Sequence, residues 1–296
     1  MDTTLFDTLW PHREPVTWLV IVTAVAAGGM LRGITGFGAA LMMAPLLSRV
    51  VTAQETLCLV TVLNALPLTN ALSAPVRRLV DHRLLLPMAG AACAGIVPGL
   101  WLVSVVPAQM FGQVVGAAVI VSALSLLLGF RLVRQRSTPM SLGVGVFSGV
   151  LTGFGGVGGP PAILYVMGIE RDGHRARASF LVYFGCIYPV ALLGVAVSGL
   201  LSVSLLLQGL VLAPLFHYAG RVGEVLFRRL SVRVFRPLVL VLLVLAGAMA
   251  AWPAGVDSRH TGAPASVVQG HLCSAAVATP MCGTPDVEAS VFHIKQ

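Results

Sequence analysis

The chain has 296 residues, of which 57% are hydrophobic and 10% are charged, against about 25% charged residues in an ordinary soluble domain. This composition leaves no room for a soluble domain and predicts one polytopic membrane domain. The formal net charge of +8 does not indicate a nucleic-acid-binding face, because 18 of the 19 basic residues are arginines and most of them lie in short links between apolar stretches.

In chain order, the predicted elements are two sets, each made of a broken helical hairpin followed by three transmembrane helices. The predicted fold is therefore all-α, with about eight transmembrane segments. Glycine and proline interrupt the apolar stretch at each hairpin, where a continuous helix would break. The first set has its hairpin at 16–50 and spans at about 57–75, 84–106 and 111–130; the second has its hairpin at 142–167 and spans at 179–200, 203–222 and 235–252.

The two ends of the chain are predicted to lie outside the cytoplasm. Residues 1–15 are acidic and lack the basic start and small-residue cleavage site of a signal peptide. Residues 254–296 are polar and contain proline, glycine and serine without periodicity, which predicts a disordered tail. Cys273 and Cys282 lie in this tail, and whether they pair is left open.

A repeated glycine pattern indicates that residues 16–136 and 137–253 are two transmembrane repeats. The pairs are Gly29 with Gly145, Gly33 with Gly149 and Pro45 with Pro161 at a constant offset of 116 positions, with one residue slipped between them at Gly36 and Gly153. Gly/Pro-interrupted segments at matching places of two halves are typical of the binding site of a repeat-built secondary transporter.

Arginine distribution predicts the topology of the links. The arginine-rich links at 77–83, 131–136, 171–177 and 221–236 are expected in the cytoplasm, and the poor links at 49–55, 106–110 and 198–204 are expected outside. Where a link of one half is rich in arginine, the matching link of the other half is poor in it. This difference favours inverted-topology repeats over a tandem parallel duplication.

The helix breaks are the candidate site. A break leaves backbone N–H groups at the start of the following helix, and these carry partial positive charge that suits an anion. The candidate substrate-binding residues at the breaks are Gly36, Phe37, Gly38, Gly155, Gly156, Gly158, Gly159, Pro160 and Pro161. For Gly33 and Gly149, close helix packing and a functional role both remain open.

Arg32 is the most informative single residue, because an arginine inside an apolar segment costs about 2.5–3.5 kcal/mol on insertion scales and usually faces a cavity or a partner. Its planar guanidinium matches an oxyanion. The alternative is that it snorkels to the interface. Asn64, Tyr165, Tyr183 and Tyr188 could supply neutral hydrogen bonds to the substrate, of which Asn64 and Tyr165 are taken as candidate site residues. Each such residue alone is more often a contact between helices.

His217, Arg221 and Glu224 are spaced to meet at one helix end. They allow a proton relay, although an interfacial Arg221–Glu224 ion pair beside a packed histidine is the simpler interpretation. The five cysteines have no metal-ligand spacing, and no catalytic residue, metal or other cofactor is predicted.

The glycine blocks, Gly-Ile-Thr-Gly-Phe-Gly at 33–38 and Gly-Phe-Gly-Gly-Val-Gly-Gly-Pro-Pro at 153–161, resemble those of the TauE/SafE sulfite exporter family. The resemblance extends over about 16–252 and includes 220–236, while the tail departs from it. It implies a multi-pass permease of the bacterial inner membrane that moves sulfite, sulfonates or related small organic anions, commonly outward.

The sequence therefore predicts a secondary transporter that moves a small anion by alternating access at a site between two broken helices. A passive anion channel is the nearer alternative and an intramembrane enzyme the more distant one. The expected partners are the small anionic substrate and membrane lipid, with no nucleic acid, and a homo-oligomer is left open.

Overall fold

A computed structural model describes residues 14–66, 74–127, 137–170 and 172–229, and the regular structure in these ranges is helical, with no strand. The helices are α1 (Pro15–Thr35), α2 (Ala39–Leu47), α3 (Ala53–Ala65), α4 (Ala74–Leu79), α5 (His82–Val105), α6 (Ala108–Leu127), α7 (Thr138–Gly155), α8 (Gly159–Ile169), α9 (Gly173–Val197) and α10 (Val203–Arg229).

Four of the described helices are long and apolar enough to cross a membrane: α1, α5, Arg175–Val197 within α9, and Val203–Leu226 within α10. Their outer faces carry large apolar side chains that are exposed, such as Leu86, Trp101 and Leu193 at 63–68%. Exposed apolar surface on this scale is stable against lipid and unstable against water.

The first helix break is at Gly36 to Gly38. Gly36 ends α1 with φ 81°, and its N–H donates to the Arg32 carbonyl at 2.8 Å. Gly38, with φ 89°, precedes α2. Both values lie in the left-handed region, where glycine has no Cβ penalty, so the glycine pattern correctly predicts a break here.

The second break is at Gly156 to Gly158. Gly156 ends α7 with φ 72°, and α8 begins at Gly159. Prolines follow at the start of α8. A backbone N–H in the first turn of a helix has no intrahelical acceptor, so the missing N–H of proline costs no hydrogen bond there. The Gly/Pro run therefore places the second break as predicted.

Corresponding positions of the two breaks are 120 residues apart in the structure, not 116. The left-handed glycines are Gly36 and Gly156, and the following helices begin at Ala39 and Gly159. The offset of 116 relates other pairs, such as Gly29 with Gly145, and differs from the spacing of the breaks by four residues, about one helical turn. Glycines lie four positions apart at Gly29 and Gly33 in the first segment and at Gly145, Gly149 and Gly153 in the second, so the glycines can also be matched one turn out of register.

The two short helices fold back beside the helices that precede them. In α2, Met43 lies against Gly28 of α1, and in the second break the Ser148 hydroxyl donates to the Gly158 carbonyl at 2.5 Å. With 9 and 11 residues, α2 and α8 are about 14 and 17 Å long, short of the roughly 30 Å hydrocarbon core. Both helices, together with α3, are mostly buried in the centre of the fold.

Glycines allow two pairs of long helices to pack with their backbones in contact. On α1, Gly33 lies against the Gly220 backbone of α10, and on α7, Gly149 lies against the Ala92 backbone of α5. A Cβ at either glycine would collide with a carbonyl group. Of the two roles left open for Gly33 and Gly149, the structure therefore shows close helix packing.

Some predicted boundaries differ from the observed ones. The span predicted at 203–222 is helical to Arg229, since arginine and glutamate are good helix formers even where the sequence becomes polar. α4 occupies part of the predicted 77–83 link. The span predicted at 235–252, the N-terminus up to residue 13 and the tail with its two cysteines lie outside the described residues.

Candidate functional site

Residues from both helix breaks line one small interior cleft. Gly36, Phe37 and Gly38 contribute from the first break and Gly159 from the second, and Arg32 and Asn64 complete the predicted residues found there. The cleft encloses about 10 Å³, which is the space of a single water molecule. The structure thus brings together six of the predicted substrate-binding residues around one small cleft.

The Arg32 side chain is held inside the fold by contacts with two helices. Its Nη1 donates to both the backbone carbonyl and the side-chain Oδ1 of Asn64, at 3.2 and 3.1 Å. Its guanidinium carbon lies 5.9 Å from the centre of the Phe216 ring on α10, within the range of a cation–π contact. These contacts direct Arg32 towards the protein interior, which disfavours the snorkelling alternative.

Asn64 has a fixed orientation. Its side chain is buried, and its amide Nδ2 donates to the Val60 carbonyl at 2.8 Å within α3. This bond orients the amide so that its oxygen faces Arg32. Asn64 therefore positions the guanidinium without neutralising it.

Two helix N-termini add to the positive electrostatic potential in the cleft. Gly38 and Ala40 at the start of α2, and Gly159 at the start of α8, all line it. The first N–H groups of a helix have no intrahelical acceptor, and the aligned peptide dipoles place partial positive charge there. Together with one guanidinium, these groups favour a small anion.

Two aromatic residues of α9, Phe184 and Tyr188, also line the cleft. Phe184 was not predicted, and Tyr188 was considered as a hydrogen-bond donor but not placed in the predicted site. The Tyr188 hydroxyl donates to the Gly156 carbonyl at 2.8 Å, so it ties α9 to the second break. The ring centres of Phe184 and Tyr188 are 5.9 Å apart. Their spacing of four along α9 is the one sequence signal that groups them, and it does not reveal which element they face.

The remaining predicted residues do not line this cleft. Tyr165 contacts Ser141 and the Ser137 carbonyl at the start of α7, at 2.7 and 3.0 Å. The side chain of Val115 on α6 packs close to Gly155. Those that lie outside the lining are Gly155, Gly156, Gly158, Pro160, Pro161 and Tyr165.

A larger cavity of about 380 Å³, termed the outer cavity, opens beside this cleft, which is termed the inner cleft. Arg177 of α9 and His217, Arg221 and Glu224 of α10 line it, and Arg32 lines both the cavity and the cleft. The three residues that the sequence grouped on α10 therefore face one open space. Among the described residues, no group of three His, Cys, Asp or Glu side chains is placed to hold a metal ion.

Long apolar helices around two glycine-broken helices and an inward-facing guanidinium define the class: a helical membrane protein with a positively charged interior cleft. The chain belongs to the sulfite exporter TauE/SafE family, whose sequence model matches residues 20–250. No curated protein and no solved structure gives a significant match. The family is one of membrane transporters for sulfur anions, so the resemblance seen in the glycine blocks is confirmed and the chain is a membrane transport protein.

Proposed function

We propose that the protein is a secondary transporter that moves sulfite, a sulfonate or a related small anion across the bacterial inner membrane. The observation that carries the proposal is the meeting of Arg32 with the N-termini of α2 and α8 at one cleft. Substrate binds where these positive groups converge, and movement of the surrounding helices exposes the cleft to one side of the membrane at a time.

The residues lining the cleft favour an anion over a cation or a neutral solute. No carboxylate is among the described residues that line it. The Arg32 guanidinium presents several N–H donors in one plane, which suits the oxygens of a sulfite or sulfonate group. An anion would also compensate the cost of keeping this arginine in an apolar segment.

The interior of the described structure is open at one end and closed at the other, which supports alternating access. The outer cavity opens beside Arg177 and Arg221, which belong to links predicted to be cytoplasmic. At the other end, the Gln54 amide donates to the Leu200 carbonyl at 2.7 Å and the Cys58 thiol to the same carbonyl at 3.4 Å. We interpret this conformation as open to the cytoplasm and closed outside.

Helix contacts support the proposal of two inverted repeats. α1 packs along α10, and α7, its counterpart in the second half, packs along α5. Gly223 of α10 lies against the Met30 carbonyl and Gly99 of α5 lies against the Val150 carbonyl, and these two carbonyls are again 120 residues apart. An exchange of partners between the halves is expected when two repeats interlock about a pseudo-two-fold axis.

The proposed function is tested by flux of labelled sulfite in proteoliposomes, with small sulfonates as competitors. Saturable flux that sulfonates inhibit and chloride does not would support a sulfur-anion transporter. If intact protein gives no flux with sulfite or any of the sulfonates, under a pH gradient of either direction, the proposed substrate class is wrong.

A further inference from the structure

The outer cavity carries more positive than negative charge, and of its guanidinium groups only that of Arg32 also lines the inner cleft. Its described lining includes three guanidinium groups, from Arg32, Arg177 and Arg221, and one carboxylate, from Glu224. We propose that this cavity is an outer anion site, where Arg177 and Arg221 bind a small oxyanion before it passes to Arg32. This inference rests on the proposed role of the cleft as the inner site.

Arg177 is fixed at the boundary between the cavity and the first helix break. Its Nη2 donates to the Gly33 carbonyl at 3.0 Å, and its aliphatic stem lies close to Gly36. The C-terminal end of α1 is the negative end of the helix dipole, which stabilises a cation there. A guanidinium has five N–H donors in a rigid plane, so binding a backbone carbonyl and contacting an anion are compatible.

Arg221 occupies the solvent-accessible side of the same cavity. Its side chain is exposed, and His217 lies one helical turn earlier on α10 and lines the same space. Residues four apart on a helix are neighbours on one face. α10 therefore presents a cation at the mouth of the cavity, while Arg32 of α1 lies at its inner end.

The difference in size between the two spaces gives the outer site a distinct role. The cavity of about 380 Å³ has room for a hydrated oxyanion, whereas the cleft of about 10 Å³ has room for one water. An anion must lose its water and the cleft must widen before it can pass from the cavity into the cleft. The outer guanidinium groups would hold the anion during this step and raise its local concentration by focusing the electric field.

The direct test compares Arg221→Gln with Arg78→Gln in inside-out membrane vesicles, which present the predicted cytoplasmic face. Arg78 is exposed on α4 but does not line the cavity, so its replacement makes the same charge change outside the site. For labelled sulfite uptake, we expect Arg221→Gln to raise KM about fivefold to tenfold with kcat nearly unchanged, equivalent to about 1.0–1.4 kcal/mol. We expect Arg78→Gln to change KM less than about twofold.

Salt provides an independent signature of the outer site. Raising ionic strength from about 0.01 M to about 1 M shortens the Debye length from about 30 Å to about 3 Å. The KM difference between wild type and Arg221→Gln should shrink over this range. Equal KM values for the two variants at low salt, with wild-type transport intact, would overturn the outer site while leaving the inner cleft unaffected.

A binding measurement separates failure of the outer site from failure of the transport function. Sulfite and then sulfate, each compared with chloride at equal ionic strength, should raise the Tm of purified wild type and of Arg78→Gln more than that of Arg221→Gln. This readout does not require transport, so an outer site detected without flux would leave only the proposed transport activity in doubt. If neither anion stabilises the wild type, the outer site is wrong.

Discussion

Arg32 lies between the inner cleft and the outer cavity, so its replacement tests the anion site most sharply at the level of a residue. Arg32→Ala removes a charge-assisted hydrogen bond to the substrate, worth about 1.5–3 kcal/mol. We expect sulfite binding to weaken roughly 10- to 100-fold, as measured by equilibrium binding to purified protein. Arg78→Ala, a matched change on an exposed arginine, should bind normally. Normal sulfite binding by folded Arg32→Ala would show that the anion site does not depend on this side chain.

Asn64 tests whether the site needs an unneutralised guanidinium. In Asn64→Asp, a carboxylate would stand about 3 Å from Arg32, where Asn64 Oδ1 is now, and would pair with it in competition with the substrate. We expect sulfite flux to fall at least tenfold below that of Asn64→Ala, which removes the side-chain hydrogen bonds of Asn64 without adding charge and keeps the backbone carbonyl that Arg32 also contacts. If the Asp variant transports as well as the Ala variant, Arg32 does not bind the anion electrostatically.

At the level of an element, replacing two glycines of α7 tests whether glycine is needed there for close helix packing or only makes the chain more flexible. Gly149 lies against the Ala92 backbone, whereas nothing lies within 4 Å of the position that a Cβ would take at Gly143 on the same helix. Gly149→Ala should therefore lower stability by about 1–3 kcal/mol, the usual cost of overpacking. Gly143→Ala should be neutral or slightly stabilising, since alanine is the better helix former. The thermal unfolding of both variants checks this, and equal Tm values would contradict the packing role.

The helix breaks could be predicted from the sequence, but their correspondence could not. Gly36 and Gly156 occupy left-handed conformations that nearly require glycine, and the prolines after Gly159 mark a helix start, so local chemistry locates both breaks. The offset between the two breaks depends on which of several glycines, spaced four residues apart, ends its helix. The packing of that helix against its neighbours decides this. The extension of α10 to Arg229 likewise lies beyond what the apolar pattern indicates.

The candidate site was predictable only in part for a similar reason. Arg32 and Asn64 are unusual polar residues in apolar helices, and the glycines mark where a ligand can approach the backbone closely. These residues could therefore be identified from the sequence. Tyr188 enters the cleft because α9 packs across the second break, where its hydroxyl binds the Gly156 carbonyl. That contact joins residues 32 positions apart and depends on the arrangement of helices, which the sequence of α9 alone does not give.

For the whole molecule, alternating access requires that the end predicted to be extracytoplasmic can open. The Gln54 amide donates to the Leu200 carbonyl there at 2.7 Å, beside the longer contact from the Cys58 thiol at 3.4 Å, and the Gln54 hydrogen bond is worth about 0.5–1.5 kcal/mol. Gln54→Ala should raise the population of the outward-open state about twofold to tenfold. Labelling of the buried Cys58 by a membrane-impermeant maleimide from outside measures this, in a protein whose other four cysteines are serine.

Gln113→Ala serves as the control for this change, since Gln113 is an exposed glutamine on α6. It should label at the rate of the parent protein. An unchanged labelling rate in Gln54→Ala would mean that the Gln54–Leu200 hydrogen bond does not keep the extracytoplasmic end closed.

Counterflow of labelled sulfite in proteoliposomes, with wild type and Arg32→Ala measured in parallel, tests whether transport uses one anion site with alternating access. A carrier that alternates access through one anion site predicts that unlabelled sulfite inside the vesicles accelerates uptake of labelled sulfite, with saturation. It also predicts that Arg32→Ala shows both properties only at sulfite concentrations roughly 10- to 100-fold higher. Flux in the wild type that is linear in sulfite concentration and unaffected by internal sulfite would contradict the carrier mechanism and indicate a passive channel.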